Sequence, residues 1–401
     1  MKRSIAWLIP GLGGGSGGHR TIFRYVQYLQ RQGLESHVYV EPVDGLGRLQ
    51  TPAITARLAR RFHGTEGVRF HVGFRPQCEH DIVVATMWHT AHAVHRDFSA
   101  SRKVYFIQDY EPFFYPVGEH YFRAESSYDL GLQPITIGRW LSRKIQEICG
   151  HPVHFVDFCA DLATFRPADD GLREDAICFL YQPSKARRCA EIGLQALQLV
   201  HDAQPEVKIY LYGARERPKS RFPAIHLGLL SPGACNDLYH RCRVGICLSS
   251  TNPSRIPFEM MAAGLPVIDL HGPQSLYDMP EEGAMLADPR PEGIAEAVIS
   301  LLDDDEQRRR MSAGGAAFMK NRPIEREARQ FADALEHILA DNPPALSPPQ
   351  PIYTRPAIHG GASALPTPSP LESPHPFRLA LRLALRLVTK PFRSGLKRIR
   401  R

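Results

Sequence analysis

The sequence predicts an α/β protein of two doubly wound, Rossmann-like domains, each a parallel sheet wrapped by helices. Three observations carry that expectation. Apolar strand-like runs alternate with helical periodicity from residue 4 to about 137, the alternation restarts near residue 175, and a polar stretch containing Gly171, with Pro167 before it, separates the two series. With 401 residues and 43% hydrophobic content, the chain suits two cores better than one.

In the first series, Ser4–Pro10 reads as a strand, Gly11–Gly18 as a turn, Thr21–Arg31 as an amphipathic helix and Ser36–Val40 as the next strand. Further strand-like runs follow at Asp81–Met87, Lys103–Ile107 and Pro134–Ile137, whereas residues 45–74 carry no clear period. The first domain is therefore expected over residues 1–167. Its glycine-rich turn lies between a strand and a helix, where free amides attract phosphate and a missing side chain lets a ligand approach. Gly15, Gly17, Gly18 and the adjoining His19 become ligand-contact candidates. Gly13-x-Gly15-x-x-Gly18 also matches the dinucleotide fingerprint, with Glu41 near the end of the second strand. An NAD-dependent oxidoreductase is accordingly the rival reading, although so glycine-rich a run satisfies many patterns.

The second series runs through Ala176–Tyr181, a helix at Arg188–His201, Val207–Tyr212, a helix at Cys235–Arg241, Val244–Leu248, a helix at Glu259–Ala263 and Pro266–Leu270. With the helical pattern Pro323–Ala340 it defines a second domain over residues 175–340. Eleven prolines in residues 343–376 then predict that 341–376 form an extended or disordered linker, because such composition builds no core.

The formal charge of +7 is concentrated at the end of the chain. Residues 377–401 hold nine Lys/Arg and no acid, leaving the rest at 7 − 9 = −2, so the folded part offers no basic surface for nucleic acid. Arg378, Arg382, Arg386 and Lys390 recur every four residues among leucines, the pattern of an amphipathic helix lying on an anionic membrane surface. Docking on a partner protein is the alternative. Eight cysteines without a C-x-x-C pair suggest reduced thiols, and neither a signal peptide nor a membrane span is legible. The expected location is cytoplasmic, peripheral on the inner face of the plasma membrane.

The most specific motif runs from Leu248 to Asp269: a polar loop after a buried strand, then Glu259 at the start of a short apolar helix, a glycine stop and another strand. A carboxylate flanked by Phe258 and Met260 needs a partner, such as a pair of hydroxyls, beyond its ordinary service to the helix dipole. The block Pro257–Ile268 resembles the donor-site signature of glycosyltransferase family 4, whose members have the GT-B fold. Gly17–Phe23, Tyr105–Tyr115 and Tyr181–Arg188 more narrowly resemble the WsaF-type bacterial rhamnosyltransferases. The resemblance spans roughly residues 4–340.

It implies that Glu259 receives hydrogen bonds from the ribose hydroxyls of a nucleotide sugar and that Arg188, with Lys185, clamps the diphosphate. An ordinary solvated basic run is the alternative for these cations. The family's second glutamate, eight residues earlier, is Thr251 here, so Thr251 and Asn252 imply a different sugar or grip, and Ser254 and Arg255 are candidates to meet phosphate or sugar. Asp109 and Glu111 follow a strand end beside Tyr110, Phe113, Phe114 and Tyr115, where one acid could bind or deprotonate an acceptor hydroxyl. A capped, aromatic-packed loop is the plainer account. His89, after another strand end, matches the region in which the family places a sugar-contacting histidine.

Neither a metal site nor a cofactor is expected: His19, His89 and His92 lack partner ligands, and Asp303–Asp305 reads as an acidic junction between helices. The resemblance thus implies a retaining, metal-independent transferase moving a sugar, L-rhamnose from dTDP-rhamnose in the narrower subgroup, onto a lipid-linked or polysaccharide acceptor in bacterial surface polysaccharide synthesis. The residues themselves leave base and sugar open. Thr251 also keeps an inactive sugar-binding subunit in view.

Overall fold

The computed structural model describes residues 3–12, 17–42, 50–60, 62, 65–168, 173–344 and 348–360. Gly15 and the basic segment 377–401 lie outside them. The first half contains strands β1 (Ser4–Ile9), β2 (Glu35–Val40), β3 (Arg69–Val72), β4 (His80–Ala85), β5 (Ala100–Ile107), β6 (Gln133–Ile137) and β7 (His154–Val156). They form one parallel sheet in the order β3-β2-β1-β4-β5-β6-β7. The second half contains β8 (Ala176–Leu180), β9 (Lys208–Tyr212), β10 (Ala224–Gly228), β11 (Val244–Ile246), β12 (Val267–Leu270) and β13 (Ala284–Ala287), ordered β10-β9-β8-β11-β12-β13, again parallel. In each sheet the order reverses beside its first strand, which opens a crevice at the strands' carboxyl ends.

Helices α1 (Gly17–Arg31), α2 (Pro52–Ala59), α3 (Trp88–Asp97), α4 (Glu119–Ser126) and α5 (Arg139–Cys149) accompany the first sheet. The second half adds α6 (Ala190–Ala203), α7 (Pro232–Arg241), α8 (Ile256–Ala262), α9 (Pro273–Leu276), α10 (Pro291–Asp303), α11 (Asp305–Met319) and α12 (Ile324–Leu339). Local signals explain several boundaries. Ser231 caps α7 through the Ala234 amide with Pro232 at the first helical position, and Gly150 ends α5 in the left-handed region at φ 73°. The acidic junction is of the same kind: Asp304 caps α11 and Asp305 pairs with Arg308.

Two domain expectations change. Helix α12, assigned from its position to the second domain, packs against the first sheet: Phe331 stacks on Trp7 at 5.4 Å and on Tyr25 at 4.6 Å. The chain therefore crosses back to its first half after α11, because the apolar face of α12 completes a core that α1 alone leaves open. The reading of 341–376 as an unpacked tether fails for its described portion. Residues 351–358 run along the second half: the Ile358 amide donates to the Leu286 carbonyl, Ile358 bridges Ala287 in parallel, and buried Tyr353 receives the Leu286 amide on its hydroxyl at 3.1 Å. Proline removes donors but leaves alternate residues free to pair with a sheet edge.

Candidate functional site

The loops after β5, β8 and β11 and the first turns of α1 converge where the two halves meet. Asp109, two residues beyond β5, is almost wholly buried, and both its oxygens are engaged by the second half: Thr251 Oγ1 donates to Oδ2 and the Asn252 amide to Oδ1, each at 3.0 Å. Asn252 Nδ2 in turn donates to the Gln108 and Ile137 carbonyls at 3.1 and 2.9 Å. This close approach needs Gly138, at φ +87°: a Cβ there would lie 2.6 Å from the Phe158 ring. Arg187 completes the joint, 3.5 Å from Asp109 and stacked 4.1 Å above Phe114.

Arg188, in the single 3-10 turn Ala186–Arg188 before α6, is buried, and its Nη1 has no hydrogen-bond partner among the described residues. Its charge pulls on Asp109 and Asp269 alike. Lys185 donates to Gln182 at 3.2 Å; burial, then Arg187 and Arg188, lower its pKa. Glu259 stands on the first turn of α8, half-buried, and no hydrogen bond reaches its carboxylate among the described residues. Burial raises its pKa against the pull of Arg255, Arg24 and Arg20, the last two on α1. A half-exposed carboxylate without a donor and a buried guanidinium nitrogen without an acceptor are groups that a ligand would complete.

Several residues expected to contact ligand instead hold the site together. Glu111 is buried and caps α3, accepting the Trp88 amide at 2.6 Å, so it is closed to an acceptor hydroxyl in this arrangement. Burial, with Asp109 nearby, pushes its pKa up to about 8. Arg255 is saturated: it binds Glu327 on α12 through both terminal nitrogens, the Cys159 carbonyl at 2.6 Å and Thr21 on α1 at 3.0 Å. Ser254 Oγ accepts the Ile256 amide at 3.3 Å at the start of α8. Thr251 and Asn252 serve the joint with Asp109, which lacked a visible partner in sequence because the partner lies 142 residues away. His19 ties α1 back to the Pro10 carbonyl at 3.0 Å. His89 remains half-exposed, 3.4 Å from Glu41, which thereby has a partner of its own rather than standing free for a dinucleotide ribose. Gly17 and Gly18 open α1 on the same side; a Cβ on Gly18 would meet Gln108 Oε1 at 3.1 Å.

Two carboxylates went unrecognised. Asp269, at the end of β12, accepts the Ser249 and Leu270 amides on Oδ1 while its buried Oδ2 has no partner among the described residues; burial pushes its pKa up to about 7. Asp278 caps α5 from the other half, accepting the Arg139 amide at 2.9 Å and the Trp140 amide at 3.2 Å, with burial raising its pKa to about 6. Asp269 is an acid within an otherwise apolar buried strand, which was a signal; nothing local marked Asp278.

Two facing parallel Rossmann-like sheets with the last helix returned to the first define a GT-B fold, the architecture of family 4 glycosyltransferases. Residues 68–139 match the family model of the WsaF N-terminal domain and residues 175–299 that of the WsaF C-terminal domain. It is 31% identical over 307 residues to the O-antigen biosynthesis protein RfbC of Myxococcus xanthus, a match covering 73% of this chain and 24% of that protein, so the chain spans about a quarter of that relative's length. Among solved structures, sucrose-phosphate synthase from Thermosynechococcus elongatus superposes with a TM-score of 0.63 at 13% identity, covering 85% of this chain and 100% of the other. Anabaena HepE in complex with UDP-glucose gives 0.62 at 12%, covering 83% and 99%. At such identities these two structures speak for the fold alone.

Proposed function

We propose that the chain is a glycosyltransferase that moves a sugar from a nucleoside-diphosphate donor onto a growing surface polysaccharide. The observation that carries the reading is a pair of incomplete groups that both act on the buried Cys247 thiol: among the described residues the Glu259 carboxylate has no donor and Arg188 Nη1 no acceptor. A ribose diol supplies two donors to the first, and a diphosphate supplies anionic oxygens to the second. Arg188, assisted by Lys185, then stabilises the charge that grows on the leaving diphosphate as the glycosidic bond breaks. The WsaF domains and the RfbC relative support the polysaccharide context.

The finer reading is a retaining, metal-independent transfer of L-rhamnose from dTDP-rhamnose. Thr251 replaces the glutamate that grips the sugar in family 4, and its hydroxyl is committed to Asp109, so the sugar is held by other groups. His89 is the favoured one, being half-exposed at the start of α3. Asp109 reaches an acceptor only if the joint between the halves opens, and its proposed catalytic role depends on that motion. The acceptor is lipid-linked, consistent with the basic segment 377–401, which we propose adsorbs to anionic lipid.

A thermal-shift screen of dTDP-, UDP- and GDP-sugars tests the donor, since a ligand selective for the native state raises its melting temperature. Glu259→Ala, which keeps the helix, should weaken the binding of whichever donor responds by about 10- to 100-fold, the loss of charged hydrogen bonds worth roughly 1.5–3 kcal/mol. Unchanged affinity by calorimetry would remove Glu259 from the site. The alternative of an inactive sugar-binding subunit retains the shift but shows no sugar release or transfer. Transfer that chelators abolish and metal restores would overturn the metal-independent reading.

A further inference from the structure

The described residues that come closest to a metal-ligand set lie outside the cleft. His37 Nδ1 on β2, Cys78 Sγ in the β3–β4 connection and His80 Nε2 at the start of β4 all lie within 4.8 Å of one another. We propose that these three side chains bind a zinc ion that pins the β3–β4 connection to the sheet. The proposal is independent of the glycosyltransferase reading.

The geometry fits that ion. Zinc takes thiolate sulfur at about 2.3 Å and imidazole nitrogen at about 2.0 Å in a tetrahedron, which sets S···N edges of about 3.6 Å. Cys78 Sγ is 3.6 Å from His80 Nε2 and 3.8 Å from His37 Nδ1. The fourth position falls to a water molecule, since His71, although its Nε2 lies 3.0 Å from His37 Nδ1, is outside the set of three. An outer shell also exists: Glu35 sits 3.3 Å from the opposite nitrogen of His37, the carboxylate–histidine arrangement that orients a metal-bound imidazole. His80 Nε2 is the nitrogen that faces Cys78 Sγ, and an ion there takes the place of its 2.9 Å hydrogen bond with the Tyr39 hydroxyl.

Cys78 is exposed and therefore reachable, and its proton leaves to solvent when the thiolate binds. A mixed sulfur and nitrogen donor set favours zinc over magnesium or calcium, which take oxygen. Residue spacing hid the site, because the β3–β4 connection brings Cys78 back to His37 across 41 positions.

The test uses the full chain, without an affinity tag, stripped of metal and titrated with zinc by calorimetry. One equivalent should bind and raise the melting temperature, and cobalt in its place should give a thiolate-to-cobalt charge-transfer band. Cys78→Ser, at an exposed position, should abolish the band and the zinc-induced shift while leaving the metal-free melt unchanged; Glu35→Gln should weaken zinc on the order of tenfold. Cys149→Ser, on α5, is the control and should behave as wild type. Absence of stoichiometric zinc binding, or a thiolate band that survives in Cys78→Ser, would overturn the proposal.

Discussion

At the residue scale, three acids that look alike in sequence have different tasks because their surroundings differ. Asp109 takes donors from the opposite half on both oxygens, Glu111 is closed over the first amide of α3, and Glu259 is left half-buried and without a donor among the described residues. Each has its pKa raised by burial. For Glu111, whose value rises from the usual carboxylate range to about 8, the native state binds a proton that the unfolded chain has already released between those limits. Stability from the protonated form is thus complete below about pH 4.3 and declines as pH climbs towards 8. Glu111→Gln keeps an acceptor for Trp88 and cannot ionise. Its stability relative to wild type should therefore grow with pH across that window, measured by denaturant unfolding; a pH-independent difference would argue that Glu111 stays charged.

At the element scale, the long buried strands and amphipathic helices were legible, and the short edge strands were not. β3, β7 and β10 span three to five residues and leave positions partly open, so their sequences carry neither a long apolar run nor a clean alternation. The 351–358 segment is the sharper case. Its composition suggested a tether, yet Tyr353 is 3% exposed and the segment extends the second sheet's neighbourhood by backbone pairing. Truncation after Gly360 should leave the melting temperature unchanged, whereas truncation after Pro344 should lower it. Tyr353→Ala should cost about 3–5 kcal/mol, the range for deleting a buried aromatic side chain. Equal melting of the two truncations would show that the segment contributes nothing.

At the scale of the whole molecule, the halves are joined by reciprocal carboxylates. Asp109 of the first half takes donors from the second, and Asp278 of the second caps α5 of the first. Glu327 on α12, fully buried, receives Arg255 from the second half and Tyr25 from α1. Removing one member leaves an uncompensated buried charge, so Arg255→Met should destabilise by about 3–5 kcal/mol, while the Arg255→Met/Glu327→Leu pair should recover much of that loss. Additive losses in the double variant would show that the two are not coupled. The basic segment 377–401 is expected to act apart from this assembly: cutting after Gly360 should release the protein from anionic vesicles and preserve transfer to a soluble acceptor. Vesicle binding that survives the cut would move the membrane contact to the folded body.

What the sequence determined by itself was periodic or local: strand and helix alternation, the restart near residue 175, and the block around Glu259. Burying an apolar face demands a repeating pattern, and a strand–loop–helix turn keeps its chemistry within a few residues. Tertiary structure decided which polar groups were already satisfied. Arg255, Asp109 and Thr251 find their partners between 72 and 234 residues away, and no window of sequence reports whether such a partner exists. The same reason separates Glu259 and Arg188, left incomplete among the described residues, from residues of identical type that the fold had already paired.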